Sequence, residues 1–278
     1  MSRSRYHVIV VVDVEGFGRR TDTVQKWLRK QLYRIMEEAF AEAGIAVPEH
    51  PGPHDRGDGA FWLLPGEVPK QDLTGPFIDR IAAGLEEYAA VSAEEARMRL
   101  RVSLHAGEVA QDERGWVGSD LNTACRLVDA QPLRDVLAAA PRAHLALIVS
   151  SQWHGAVVRH GAGGIAHGSY APVSLGIKEL RDTAWIRVPG YDSPPGLPDA
   201  SPAEDAAASA ESAESAAADE PGRGGPASKA PGGPAGAEAA RAAHDNRSYF
   251  KNATVNAREI VVGDRIGGRH VHGSERGR

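Results

Sequence analysis

Between residues 191 and 245 the chain carries almost no large apolar side chain, and that gap limits where a folded core can form. The stretch SPAEDAAASAESAESAAADEPGRGGPASKAPGGPAGAEAA cannot bury enough surface to offset the entropy of ordering it. It reads as a disordered, acid-leaning linker. The chain therefore divides into a core region, residues 1–190, the linker, residues 191–245, and a tail, residues 246–278. All five Trp lie in the first region.

Charge and cysteine content exclude several classes. A formal charge of -5 supplies no electrostatic drive toward nucleic acid. The single cysteine, Cys125, excludes an intramolecular disulfide and a cysteine-rich zinc site. A reducing, cytoplasmic setting fits. The apolar run Val8 to Val12 is too short for a signal peptide and ends in Asp13. No stretch approaches the roughly 20 apolar residues that cross a bilayer, so no membrane partner is expected.

Hydrophobic periodicity orders the first region. Tyr6 to Val12 is a continuous β-branched run and predicts a buried strand. Val24, Leu28, Leu32, Ile35, Met36 and Phe40 recur at helical spacing over 21–43, and Gly44 ends that helix. Strands are expected at 45–50 and 60–64, with PGPHDRGDG between them as a hairpin. A helix over 74–91, a strand over 98–105 and a helix over 119–130 follow. Three further strands are expected at 145–149, 171–177 and 183–188. The order is β-α-β-β-α-β with additions, an α+β, ferredoxin-like core.

Two groups of residues stand out on this frame. Asp13 follows the first strand directly, with Gly16 allowing a sharp turn, and Asp58 sits at the hairpin tip in DRGDGAF. A first strand lying beside that hairpin would bring both carboxylates to one end of the sheet. There they repel unless a cation lies between them. Hard oxygen ligands beside a triphosphate favour Mg²⁺ or Mn²⁺. Taken singly, each aspartate reads first as a turn residue. In GWVGSDLNTACRLVDA, Asn122 and Arg126 stand four apart on one helical face. Arg126 is suited to fork onto phosphate oxygens, and Asn122 to bond a sugar hydroxyl. A surface Asn and a salt-bridged Arg have the same spacing.

Four segments in order resemble the class III nucleotidyl cyclase catalytic domain: VVDVEGF, GDGAFWLL, LRVSLHAGEV with its His-x-Gly-Glu turn at His105, Gly107 and Glu108, and GWVGSDLNTACRL. The resemblance spans about residues 6–190. It implies that Asp13 and Asp58 hold two metal ions, Mg²⁺ or Mn²⁺. It implies that Asn122 positions the ribose and that Arg126 stabilises the triphosphate. The implied reaction turns a nucleoside triphosphate into a 3′,5′-cyclic nucleotide and pyrophosphate. The implied assembly is a head-to-tail homodimer with shared sites, the aspartates from one subunit and the Asn and Arg from the other. Removing one carboxylate is expected to leave the domain folded.

Departures from the family pattern fall on base recognition. The lysine usual four residues before the second aspartate is His54 here, and the second base-reading position is Gly115. A bacterial group that makes cyclic pyrimidine nucleotides also departs at these places. An altered base choice is the expectation. A cyclase-like module that senses nucleotide or scaffolds without turnover is the alternative. Glu15 is expected to face solvent, Asp55 and Arg56 to serve the turn, and Trp62 and Trp185 to lie in the core. The tail NRSYFKNATVNAREIVVGDRIGGRHVHG has β-branched pairs and Gly turns. It reads as short strands suited to self-assembly or to capture of a protein partner over 246–273, or else as a partly ordered extension that packs on its own domain.

Overall fold

The computed structural model describes residues 3–47, 52–161, 165–177 and 180–197. Apart from 191–197, the expected linker and the expected β-prone tail lie outside the described residues.

The strands are β1 (Arg5–Val14), β2 (His54–Asp55), β3 (Gly59–Pro65), β4 (Leu100–Asp112), β5 (Gly115–Val117), β6 (Leu145–Ser150), β7 (Ala171–Ile177) and β8 (Leu180–Arg187). The helices are α1 (Asp22–Glu42), α2 (Lys70–Thr74), α3 (Pro76–Val91), α4 (Ser119–Val128), α5 (Gln131–Ala139) and α6 (Ser151–Ala156). The sheet runs β2-β3-β1-β4-β6-β8-β7, with β5 paired to β4 off that path. Its first four strands are antiparallel throughout. With α1 and α3 as crossovers, they make the α+β, ferredoxin-like arrangement expected. β6 joins β4 in parallel, and β8 and β7 extend the edge.

β1 is a continuous apolar run because both its faces are covered. Val8, Val10, Val12 and Val14 pack in the cluster formed with α1 and α3, where Phe40 and Phe77 stack 4.5 Å apart. Ile9 and Val11 pack on the opposite face against Leu121, Ala124 and Val128 of α4. A third cluster joins α5 to β6, β7 and β8 through Leu133, Val136, Leu137, Ile148 and Ile186. Trp62 and Trp185 are buried, as expected. No helix among the described residues is long and apolar enough to cross a membrane.

Three features depart from the sequence reading. No strand forms over 45–47, and 48–50 lie outside the described residues. Gly44 is left-handed (φ 68°), the Ile45 N–H returns to the Phe40 carbonyl (2.9 Å), and the Ile45 side chain enters the core. Those residues therefore cap α1, and the second strand is the two-residue β2. The His-x-Gly-Glu segment is not a turn but the interior of β4, with His105 opposite Ile9 and Gly107 opposite His7. Three helices, α2, α5 and α6, add to the expected elements.

Candidate functional site

Asp13 sits near the end of β1, flanked in register by Gly59 of β3 and Arg101 of β4. The hairpin lies directly on β1 there. A Cβ at Gly59 would stand 2.0 Å from the Val12 carbonyl oxygen, so only glycine permits the approach. That contact brings Asp58 alongside, and its carbonyl accepts from the Val14 N–H at 2.9 Å. The two aspartates thus come together at one end of the sheet. Asp13 is buried and Asp58 is exposed. Gly16, left-handed at φ 66°, turns the chain just beyond them.

Burial pushes the Asp13 carboxyl up to about 6, with the Asp58 and Asp129 charges adding to the rise and Arg101 opposing it. Arg101, also buried, is ion-paired with Asp13. Sequence reasoning missed this arginine, although LRVSLHAGEV places it on the same strand face as His105. The pairing corrects the expectation for Asp13. Removing its carboxylate would leave a buried guanidinium without its counter-ion rather than merely relieve a repulsion.

The hairpin is anchored from two sides. Asp55 accepts from Arg29, from Tyr33 Oη (2.8 Å) and from the Gly57 N–H (2.8 Å), which ties it to α1. Arg56 is more than a turn residue, because it reaches Asp129 just past α4 at 3.3 Å. Glu15 does not face open solvent but pairs with Arg99 at 3.3 Å.

Asn122 and Arg126 both lie on α4, half-buried and exposed respectively. Leu121, Ala124 and Val128 face the sheet, which leaves the polar pair on the flank of the helix. Arg126 opens onto a shallow depression with Gln131, Pro132, Ser174 and Gly176, outside the Asp13–Asp58 cluster. The start of α4 is fixed by Asp120, which accepts from the Glu108 N–H (2.7 Å) and contacts His105 Nε2 (3.3 Å). His105 Nδ1 meets Ser150 Oγ at 2.8 Å, and that hydroxyl caps α6 by accepting from the Trp153 N–H. This serine, histidine and aspartate array ties β4 to the starts of α4 and α6, with the serine and histidine buried, rather than presenting an exposed nucleophile.

His54 stacks on Phe61 (4.7 Å between ring centroids) and meets Trp116 edge-on at 5.8 Å. Burial lowers its pKa. Gly115 has φ 139° at the turn end of the β4–β5 hairpin, and nothing stands within 4 Å of a Cβ built there. The two positions expected to touch the base are therefore joined by Trp116, which follows Gly115.

Among the described residues no group of three His, Cys, Asp or Glu is arranged to hold a metal. Asp13 and Asp58 nonetheless fit a hard divalent cation as two adjacent oxygen donors, one of them made more basic by burial. The remaining oxygens would have to come from phosphate and water.

No family model matches the chain, and no curated protein matches it. Solved structures do. The adenylate/guanylate cyclase/hydrolase from Silicibacter pomeroyi shares 18% identity, with a TM-score of 0.47 over 68% of this chain and 99% of that one. The catalytic core of a rhodopsin-guanylyl cyclase with converted specificity, in complex with ATPalphaS, shares 14% identity (TM-score 0.44, 67% of this chain, 97% of that one). The adenylyl cyclase CyaB from P. aeruginosa shares 10% (TM-score 0.44, 69% of this chain, 97% of that one).

Proposed function

We propose that the protein is a nucleotidyl cyclase that makes a 3′,5′-cyclic nucleotide and pyrophosphate from a nucleoside triphosphate, as a signal. The observation that carries this reading is the pairing of β1 with β3, which sets Asp13 and Asp58 side by side at the sheet end. In the reaction the ribose 3′-oxygen forms a bond to the α-phosphorus. The bond from that phosphorus to the bridging oxygen breaks, pyrophosphate leaves, and the hydroxyl proton passes to solvent.

Asp13 and Asp58 would hold two divalent cations, Mg²⁺ or Mn²⁺, whose chemistry when bound is to acidify the 3′-hydroxyl and neutralise the triphosphate. Arg126 contributes a planar fork of donors for phosphate oxygens, and Asn122 a donor and an acceptor for the ribose. Arg101 supplies a fixed positive charge beside Asp13. A homodimer with shared sites is consistent with Arg126 opening onto a depression that neither aspartate lines. The chemistry and the single Cys125 suit the cytoplasm.

The test is Mn²⁺-dependent pyrophosphate release from ATP, GTP, CTP and UTP by the purified full-length protein, beside Asp58→Ala. Turnover of at least one nucleotide, lost in the variant, is expected. Nucleotide binding with no turnover of any of the four would replace this reading with the nucleotide-sensing module.

A further inference from the structure

The aromatic residues beside Gly115 carry polar atoms that find no partner among the described residues. His54 Nε2 and Trp116 Nε1 are both buried and make no hydrogen bond among the described residues. Buried polar groups are ordinarily satisfied, so each such atom calls for an explanation. Other unpartnered atoms exist, such as His144 Nδ1, but His54 and Trp116 are ring neighbours, 5.8 Å apart and nearly perpendicular. Two adjacent unsatisfied groups on one rim point to a missing common partner.

The surroundings limit what that partner is. His54 lies on Phe61 with planes 24° apart, and His7 also meets Trp116 edge-on at 5.8 Å. Flat aromatic walls of this kind favour a flat ring. His54, Phe61 and Trp116 are half-buried as whole residues, so they stand at the protein's rim rather than in its core. Beside them the space at Gly115 is open, and its φ of 139° disfavours any side chain that would fill it.

Resting on the cyclase reading above, we propose that Trp116 is a base-reading residue, its indole N–H donating to a carbonyl oxygen of the nucleobase while His54 bonds the neighbouring edge. Indole is a donor only, so it selects an acceptor. Uracil, cytosine and guanine carry a carbonyl oxygen, whereas adenine offers only ring nitrogens as acceptors, at a different place on its edge. His54, kept neutral by burial, offers one donor or one acceptor according to tautomer. Position 116 thereby supplies the contact that Gly115 cannot.

The experiment follows the indole N–H resonances of the full-length protein as UTP, CTP, GTP and ATP are added with Ca²⁺ in place of Mg²⁺. The chain has five Trp, and Trp116→Phe identifies its own signal by deletion. Saturation with a carbonyl-bearing nucleotide is expected to move the Trp116 signal downfield, with ATP moving it less. Trp116→Phe is expected to weaken binding of that nucleotide about 5- to 10-fold, as loss of one hydrogen bond does, and to leave ATP affinity nearly unchanged. Nucleotides that bind while the Trp116 signal stays put, with Trp116→Phe binding as tightly, would overturn the assignment and leave the cyclase reading intact. Absence of any nucleotide binding would remove both. A signal that moves with protein concentration instead would make the pair an interface between copies and overturn the proposal. The resonance is read on the wild-type chain, so a poorly folding variant does not undo the measurement. In that event single Trp→Phe changes at the other four positions assign it.

Discussion

Asp13 and Arg101 face each other directly across β1 and β4, ion-paired and both buried. Each is the other's main compensation for lost hydration. Arg101→Met should therefore destabilise the protein by about 3–5 kcal/mol, because it leaves a buried carboxylate without its cation. Asp13→Leu strands the guanidinium in the same way. The double replacement Asp13→Leu with Arg101→Met should recover most of the loss, since paired apolar groups of similar volume often substitute for a buried ion pair. Urea unfolding of the four proteins measures the coupling. Losses that simply add would show that the two charges act independently.

A shared site makes a prediction about mixtures. If the aspartates and the α4 residues of one site come from different subunits, Asp58→Ala and Arg126→Ala chains are each inactive alone. Mixed and allowed to exchange, they form heterodimers with one intact site of two. Pyrophosphate release should return to roughly a quarter of wild type, since half the dimers are mixed and half their sites are whole. No recovery, with exchange verified by differently tagged chains, would place the whole site within one subunit.

Burial lowers the His54 pKa below its ordinary 6.5. The unfolded chain then binds a proton at this position more readily than the folded one. Stability from this residue is fully present above 6.5 and is lost as pH falls through that value toward the folded pKa. The stability difference between wild type and His54→Gln, measured by urea unfolding at pH 7.5 and at pH 5, should move against the wild type at the lower pH. Taking the difference cancels His144, whose pKa burial also lowers. An unchanged difference would mean that His54 titrates as it does in the unfolded chain.

Much of this arrangement is legible in the residues. The run Val8 to Val12, the spacing of Leu28, Leu32, Ile35 and Met36, and the Asp-Gly hairpin each act locally, and each element formed where its pattern lay. What was illegible depends on partners distant in sequence. Arg101 reads as one charge in a strand, and only the β1–β4 register sets it against Asp13, 88 positions away. Arg56 reads as a turn residue until α4 brings Asp129 to it, 73 positions on. Ile45 alternates like a strand residue, yet the left-handed Gly44 folds it back onto α1. By contrast the pattern of α5 is local and legible: Leu133, Val136 and Leu137 have helical spacing, and Pro132 stands in the first turn.

Gly107 should prove intolerant of any side chain. It lies inside β4, opposite His7, where glycine is ordinarily a weakness. Here a Cβ would stand 2.1 Å from Asp120 Cγ. The carboxylate occupies that space because it accepts from the Glu108 N–H at 2.7 Å and contacts His105 Nε2 at 3.3 Å. Those contacts fix the first turn of α4, the helix that carries Asn122 and Arg126. Gly107→Ala must therefore expel the Asp120 side chain, losing both contacts and disturbing the helix start. Loss of a charge-assisted bond with local overpacking should cost about 2–4 kcal/mol. Asp120→Ala alone loses the bonds without the clash and should cost less. Because the clash needs both side chains, Gly107→Ala added to Asp120→Ala should cost much less than Gly107→Ala alone. Urea unfolding of the three variants tests this. A Gly107→Ala protein as stable as wild type would show that Asp120 has another position open to it, and that the α4 start does not depend on this contact.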